Sequence, residues 1–338
     1  MKLIVLKGLP GSGKSTLAEE RLKKDGNAVR VCRDDLRAMV HRGLKWSGAR
    51  ERTVIDIETA IAFNALSAGK NVIVDDTNIL GKGYHLWKDA CETWRKLGKD
   101  IEFEVVDFTP NSKTPVTIQE CIRRDSLRTG TARVGRGVIE RMALFGELID
   151  LSPFDKVAIV DIDGTLSCLD HRLKYIESTP KDYDKFFATV CFDGWFHSVW
   201  AAVRTLANTG HLIIVLSGRT ASCGHATAEW LEFGNPREEN KDGIPLPYDH
   251  LFMRQSGDKK PDHEAKREIF DAMLRAGLRK DSIKVVIDDR DSVCDLWRSL
   301  ELPLIQVDRG KAIEIEASAI EISGEIGLTI GDCCGYGN

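Results

Sequence analysis

No apolar stretch in this 338-residue chain approaches the roughly 20 residues that a membrane-spanning helix needs. That lack excludes a helical membrane protein. Signal-peptide anatomy is also missing, since Met1 runs directly into the apolar Leu3–Leu6, and a cytoplasmic protein is expected. The nine cysteines include no C-x-x-C pair and no Cys/His spacing suited to zinc, and their number is odd. Reduced thiols, rather than a disulfide framework or a zinc site, are the expectation. An excess of one charge is lacking too: 48 Lys and Arg against 52 Asp and Glu leave a net −4. Such a balance is no electrostatic footprint for wrapping a long duplex, so any nucleic acid must meet a local basic patch.

What is present is an ordinary globular composition, 42% apolar and 30% charged, in a chain long enough for two cores. Short apolar runs at Leu3–Leu6, Ala28–Val31, Asn71–Val74 and Ile101–Val106 read as strands. Helical patterns at Ser15–Lys24, Arg50–Ala68, Gly83–Leu97, Pro115–Leu127 and Val138–Ile149 separate or follow them. The alternation predicts an α/β fold with a mostly parallel sheet. Beyond Leu151-Ser152-Pro153-Phe154 the rhythm restarts, with strands at Lys156–Val160, His211–Leu216, Ile283–Ile287 and Leu304–Val307. The expected domains are therefore residues 1–152 and 153–311, with the boundary at Pro153. Residues 312–338 form an extension of no evident role. Its Ile/Glu alternation reads as a short solvent-facing strand or hairpin, with a disordered tail or an oligomer contact as alternatives, and it ends in the Gly-rich GDCCGYGN.

Gly8 to Ser15, GLPGSGKS, satisfies G-x-x-x-x-G-K-[ST] after an apolar strand and before a helix. Gly8, Gly11, Ser12 and Gly13 let backbone N–H groups converge on phosphate oxygens at a helix N-terminus, joined by Thr16. Lys14 reaches the terminal phosphates and Ser15 ligates Mg²⁺, so ATP and Mg²⁺ are the expected donor and cofactor. Arg33-Asp34-Asp35-Leu36-Arg37 follows the second strand, where ligands bind in open α/β sheets. A carboxylate there suits a general base and Arg37 suits an acceptor phosphate; a capped, solvated helix start is the alternative. Asp75-Asp76-Thr77-Asn78 closes the third strand as a supporting carboxylate group or a plain turn. Among six arginines between Arg123 and Arg141, Arg124 and Arg128 suit a lid over the phosphates, the others a solvated face.

Lys156 to Leu166, KVAIVDIDGTL, delivers Asp161 and Asp163 from a buried strand into one pocket. This arrangement suits covalent phosphatase chemistry. Asp161 attacks phosphorus, Asp163 handles the leaving-group proton, and Mg²⁺ screens the charge. Ser217, Gly218 and Arg219 close a second strand and suit phosphate binding. Lys266 follows Asp258–Asp262, and Asp288-Asp289 end a third strand as further metal carboxylates.

In these motifs the chain resembles the polynucleotide 5′-kinase/3′-phosphatase family of T-even bacteriophages over roughly residues 1 to 310. Its second half is similar to haloacid dehalogenase-like phosphatases. GLPGSGKS and D-x-D-G-T are shared widely; RDDLR, DDTN, the RDSLR of Arg124–Arg128, and the spacing through SGR to IDDR are more specific. The resemblance implies a P-loop NTPase-type sheet followed by a haloacid dehalogenase-like Rossmannoid domain with a small cap. It further implies a bifunctional end-healing enzyme: ATP-dependent phosphorylation of RNA or DNA 5′-OH ends, and removal of 3′-phosphates through a phosphoaspartate, with 2′,3′-cyclic phosphates as a further candidate. It assigns Asp34 as general base, Arg37 to the acceptor's 3′-phosphate with Asp76 orienting it, Arg128 to the transferring phosphoryl group and Arg124 to the donor phosphates. Asp161 becomes the nucleophile and Asp163 the acid/base; Ser217, Arg219 and Lys266 bind phosphate, Asp262 supports, and Asp161, Asp163, Asp288 and Asp289 serve the metal. A homo-oligomer acting upstream of a ligase, with no membrane partner, in the host cytoplasm if phage-encoded, completes the expectation. The departure is SCLDHRLKYI and Tyr183–Phe187, longer than in the T-even protein; it predicts a cap in which Arg172 supplies the substrate-facing arginine. A small-molecule (nucleoside or sugar) kinase fused to a nucleotidase is the alternative function. A non-catalytic nucleotide-gated binding module is a third class.

Overall fold

The computed structural model describes residues 1–42, 47–235 and 245–330. By packing the chain forms two units, Met1–Val134 and Gly135–Asn338. The Gly-rich end of the extension, with Cys333 and Cys334, lies outside the described residues; the seven cysteines within them are all free.

The first unit runs β1 (Lys2–Lys7), α1 (Lys14–Lys24), β2 (Ala28–Val31), α2 (Arg33–His41), α3 (Gly48–Ser67), β3 (Asn71–Val74), α4 (Tyr84–Lys96), β4 (Glu102–Asp107) and α5 (Ile118–Ser126). Its four strands form a wholly parallel sheet in the order β2-β3-β1-β4. Alternation along β1 divides its apolar side chains between two faces. Leu3 and Val5 enter the core that holds Trp87, Cys91 and Trp94 of α4, while Ile4 and Leu6 pack with Ala18 of α1. Spacing of i, i+4 and i+7 puts those three α4 residues on one helix face. Because the strands are parallel, the loops after β1, β2 and β3 leave the same end of the sheet.

The second unit begins with α6 (Arg136–Phe145), earlier than the expected boundary at Pro153. Proline marks a break in the chain, but packing decides membership. α6 lies on β9, where the Glu140 carboxylate accepts from the Leu251 N–H at 2.7 Å. Then follow β5 (Val157–Val160), β6 (Ser167–Cys168), α7 (Asp170–Glu177), α8 (Tyr183–Ala188), β7 (Gly194–Trp195), α9 (His197–Asn208), β8 (Leu212–Thr220) and α10 (Gly224–Phe233). The unit closes with β9 (His250–Arg254), α11 (Asp262–Arg275), β10 (Ile283–Asp288), α12 (Asp291–Ser299), β11 (Leu304–Asp308), β12 (Lys311–Ile315) and α13 (Ile320–Glu325). The six-stranded sheet is ordered β12-β11-β10-β5-β8-β9, parallel except for β12. β5 is central and buried throughout, as VAIV demands. α7 and α8 pack together, and β6 pairs with β7, in the segment expected as a cap.

The extension is thus a hairpin strand followed by a short helix. Ala312, Ala319, Ile326 and Leu328 are buried in the same core as β5, β8 and β10.

Candidate active sites

In the first unit, the turn after β1 coils back through left-handed glycines at Gly11 (φ 85°) and Gly13 (φ 100°). Any side chain on Gly11 would strike the Cys121 backbone at 2.5 Å, so the loop needs glycine there for space as well as angle. Ser12 is buried, whereas Ser15 and Thr16 remain exposed on the first turn of α1. The Lys14 ammonium donates to the Gly8 and Leu9 carbonyls at 3.0 and 2.8 Å. Burial pushes its pKa down to about 8, against the pull of Asp75 and Asp76. Arg124 leans on the loop, with a guanidinium nitrogen 3.4 Å from the Gly11 carbonyl, and is held by Glu120 at 2.7 Å. Arg128 lies 3.6 Å from the buried Asp125 and also donates to the Ala132 carbonyl.

α2 starts immediately after β2, which places Asp34 in its first turn with the carboxylate exposed to solvent. Arg37, one turn on, pairs with Asp34 and makes a bidentate contact to Glu51 of α3 at 2.7 and 2.8 Å. Asp76 does not touch Arg37 by hydrogen bond. Its two oxygens accept from the Arg33 backbone at 3.0 Å and the Arg33 side chain at 2.8 Å. The expected orienting role toward Arg37 therefore falls to Glu51, and Asp76 anchors the start of α2. Beneath them Glu58 is fully buried, 3.5 Å from Arg33, and one of its oxygens has no partner. Burial, reinforced by neighbouring Asp76, pushes its pKa up to about 9. Asp75 is spoken for by Arg30 at 2.7 Å.

In the second unit β10, β5 and β8 are adjacent, and their register puts Asp288, Asp161 and the Leu216–Ser217 stretch at one level of the sheet. Lys266 of α11, itself buried, bridges Asp161 at 2.7 Å and Asp288 at 2.8 Å, with Asp262 at 3.9 Å. Carboxylate oxygens of Asp161, Asp288 and Asp289 lie within 4.8 Å of one another. Burial raises Asp161 well above the usual carboxylate range despite Lys266, and Asp289 is lifted to about 7 by burial and then Asp288. Such crowding of hard oxygen donors fits a divalent cation of the Mg²⁺ type. Gly164 (φ 87°) makes room for the Asp289 carboxylate, since a Cβ there would sit 2.0 Å from one of its oxygens. Trp297 donates to Asp288 at 3.2 Å. Asp262 is oriented by Arg254 at 2.9 Å and lies against Gly218.

Asp163 diverges from this group. Its carboxylate turns to Arg172 at 2.7 Å and to Arg219 at 2.6 and 2.8 Å, and is not one of the three clustered oxygens. Burial opposes ionisation, but the two guanidiniums outweigh it and hold this carboxyl far below the ordinary range. Arg172 and Arg219 are fully buried and are also paired with the buried Asp193. In this arrangement they grip Asp163 rather than facing an incoming phosphate, a correction to their expected substrate-facing role. Ser217 is likewise buried and accepts from the Arg219 N–H at 3.2 Å.

Sequence reading passed over Glu51, Glu58 and Asp193. For Glu58 a signal existed: Val54, Glu58, Ala62 and Leu66 recur every fourth residue on the buried face of α3, and an acid in that row is anomalous. Asp193 had none, because it is the fold that brings it under Arg172, 21 residues away.

Residues 155–311 match the family described as the polynucleotide kinase PNKP phosphatase domain, and residues 3–143 match the family described as AAA domain. A protein of Autographa californica nuclear polyhedrosis virus, named as a bifunctional polynucleotide kinase/RNA ligase, is 24% identical over 324 residues, or 90% of this chain. The chain spans 42% of that relative's length. Among solved structures, one titled as a Pnkp1/Rnl/Hen1 complex is 26% identical with a TM-score of 0.37, covering 92% of this chain and 97% of that one. A Mycobacterium tuberculosis APS kinase, CysC, is 25% identical over 37% of this chain and 69% of its own, with a TM-score of 0.28.

Proposed function

We propose that the chain heals nucleic-acid ends, its first unit phosphorylating 5′-OH groups from ATP and its second removing 3′-phosphates. The observation that supports this reading is the coexistence in one chain of a glycine loop with its buried lysine and a carboxylate–lysine cluster, the latter within residues that match a polynucleotide kinase phosphatase domain. In the first site Lys14 and Arg124, both resting on carbonyls of the glycine loop, hold the donor phosphates. Asp34 takes the proton of the attacking 5′-hydroxyl, and Arg37, kept in place by Glu51, receives the acceptor's 3′-phosphate. Arg128 neutralises charge on the group in flight, a contribution of the kind worth ~10³–10⁵ in rate.

In the second site an Asp161 oxygen forms a bond to phosphorus while the bond from phosphorus to the 3′ oxygen breaks. Mg²⁺ held by Asp161, Asp288 and Asp289 would offset the charge of phosphate against carboxylate. Lys266 opposes the burial that raises Asp161, and the cation would complete its ionisation to the anion it must be to attack. Asp163 sits between two arginines as a carboxylate, so its ready role is to take a proton from the water that cleaves the phosphoaspartate. Between turnovers the arginines drive that proton off to solvent; the next phosphate dianion offsets their field, so that Asp163 takes up a proton from solvent and gives it to the leaving 3′ oxygen. The natural consumer of 5′-phosphate and 3′-OH ends is a strand-joining reaction, which places a ligase downstream.

The test is label transfer from ATP to a 5′-OH oligonucleotide, beside phosphate release from a 3′-phosphorylated one, with RNA and DNA in parallel. Asp34→Ala removes only the first activity and Asp161→Asn only the second. Transfer to free nucleosides but to no oligonucleotide would instead establish a small-molecule kinase.

A further inference from the structure

We infer that the described part of the C-terminal extension, residues 312–330, positions the metal-binding loop of the second unit through Arg298 and Gln306. The inference rests on the phosphatase reading above. The matched phosphatase family ends at residue 311, yet β12 adds an antiparallel strand to β11 and the segment after it enters the core. More than a cover is built there.

Glu314 and Glu316 take hold of Arg298 of α12 at 2.7 and 2.9 Å. The same guanidinium donates to the Gln306 Oε1 at 2.8 Å. Gln306 is buried on β11, and its Nε2 donates to the Asp291 carboxylate at 2.7 Å and to the Asp289 carbonyl at 3.3 Å. A primary amide has one accepting end and one donating end. Arg298 claims the accepting end, so the donating end must face the Asp289–Asp291 loop. Turned over, the amide would set its oxygen against a carboxylate and a carbonyl, and the loop would move away. That loop carries Asp288 and Asp289: the Asp288 carboxylate accepts from the N–H groups of Asp289 and Arg290 at 3.1 and 3.3 Å, so the peptide Gln306 holds is coupled to the carboxylate beside it. The extension thus decides, through two intervening side chains, where the metal carboxylates stand.

Half-exposed ion pairs such as Arg298–Glu314 add little to global stability. Their effect belongs at the metal loop, and this separates a positioning role from a structural one. The experiment uses the full chain, without nucleotide, and titrates Mn²⁺ by the electron paramagnetic resonance of the free ion. An Asp289→Asn chain identifies the site. A Glu314→Gln/Glu316→Gln double variant and a Gln306→Glu variant should each bind Mn²⁺ about tenfold more weakly, in line with losses of supporting contacts at metal sites. The Mg²⁺ concentration for half-maximal phosphatase activity should rise in parallel, and kinase activity should be unchanged. Unaltered Mn²⁺ affinity, or a lowered melting temperature with normal affinity, overturns the inference. So does a wild-type chain whose Mn²⁺ binding equals that of Asp289→Asn. A wild-type chain that binds Mn²⁺ at this site but releases no phosphate from 3′ ends refutes the substrate reading instead, while the affinity shift still tests the relay.

Discussion

Replacing Glu58 by glutamine tests the carboxyl pair under the first site. Glu58 and Asp76 are both buried beside Arg33, and the site holds Glu58 neutral with a pKa near 9 against an ordinary 4.5. A carboxyl whose folded pKa is raised contributes stability fully present below its unfolded pKa and lost as pH rises through the folded value. The wild-type unit should therefore weaken progressively between about pH 4.5 and pH 9. At pH 7.5 three units separate the solution from the unfolded pKa, and at about 1.36 kcal/mol each the loss is as much as ~4 kcal/mol. Glu58→Gln keeps the shape and a donor toward Asp76 but has nothing to ionise. An unmatched amide proton near Arg33 costs about 1–3 kcal/mol at every pH. The variant should consequently be as stable as wild type or less so at pH 5, and gain on it by several kcal/mol from pH 5 to 7.5. Urea titrations read by pulsed alkylation of Cys91, buried in the core of this unit, isolate its unfolding from that of the second unit. A difference between the two chains that is the same at pH 5 and pH 7.5 would refute the reasoning.

Gly164→Ala forces a methyl group into the space of the Asp289 carboxylate, and phosphatase activity should fall ~100-fold with the kinase spared. Asp193→Ala strands two buried guanidiniums on a single carboxylate; it should cost the second unit about 3–5 kcal/mol in denaturant unfolding. Lys14 is depressed to about 8 by burial, and phosphate oxygens will raise it again. ATP binding just above pH 8 should thus take up protons, seen as a buffer-dependent heat in calorimetry, and Lys14→Met should abolish that uptake. Arg37→Lys keeps a charge but cannot reproduce the two-pronged contact with Glu51, so the acceptor KM should rise about tenfold with the ATP KM unchanged.

Local chemistry was legible wherever it was written in neighbouring residues. The glycine loop, its lysine, the D-x-D-G-T strand and the pairs of carboxylates at strand ends follow from patterns a few residues long, because a strand end and a helix start are local events. The alternating apolar runs likewise foretold two α/β units with parallel sheets, since burial on both faces of a strand leaves a continuous hydrophobic record. β9 left a weaker one: only Leu251, Phe252 and Met253 are buried between polar neighbours. What tertiary structure alone decided is which charges meet. Asp76 serves Arg33 and not Arg37, Asp163 faces two arginines and not the metal carboxylates, and α6 joins the second unit despite the proline after it. Each of these depends on the geometry of side chains from elements distant in sequence, packed where water is excluded. There a charge must find a partner, and a sequence pattern has no means of naming it.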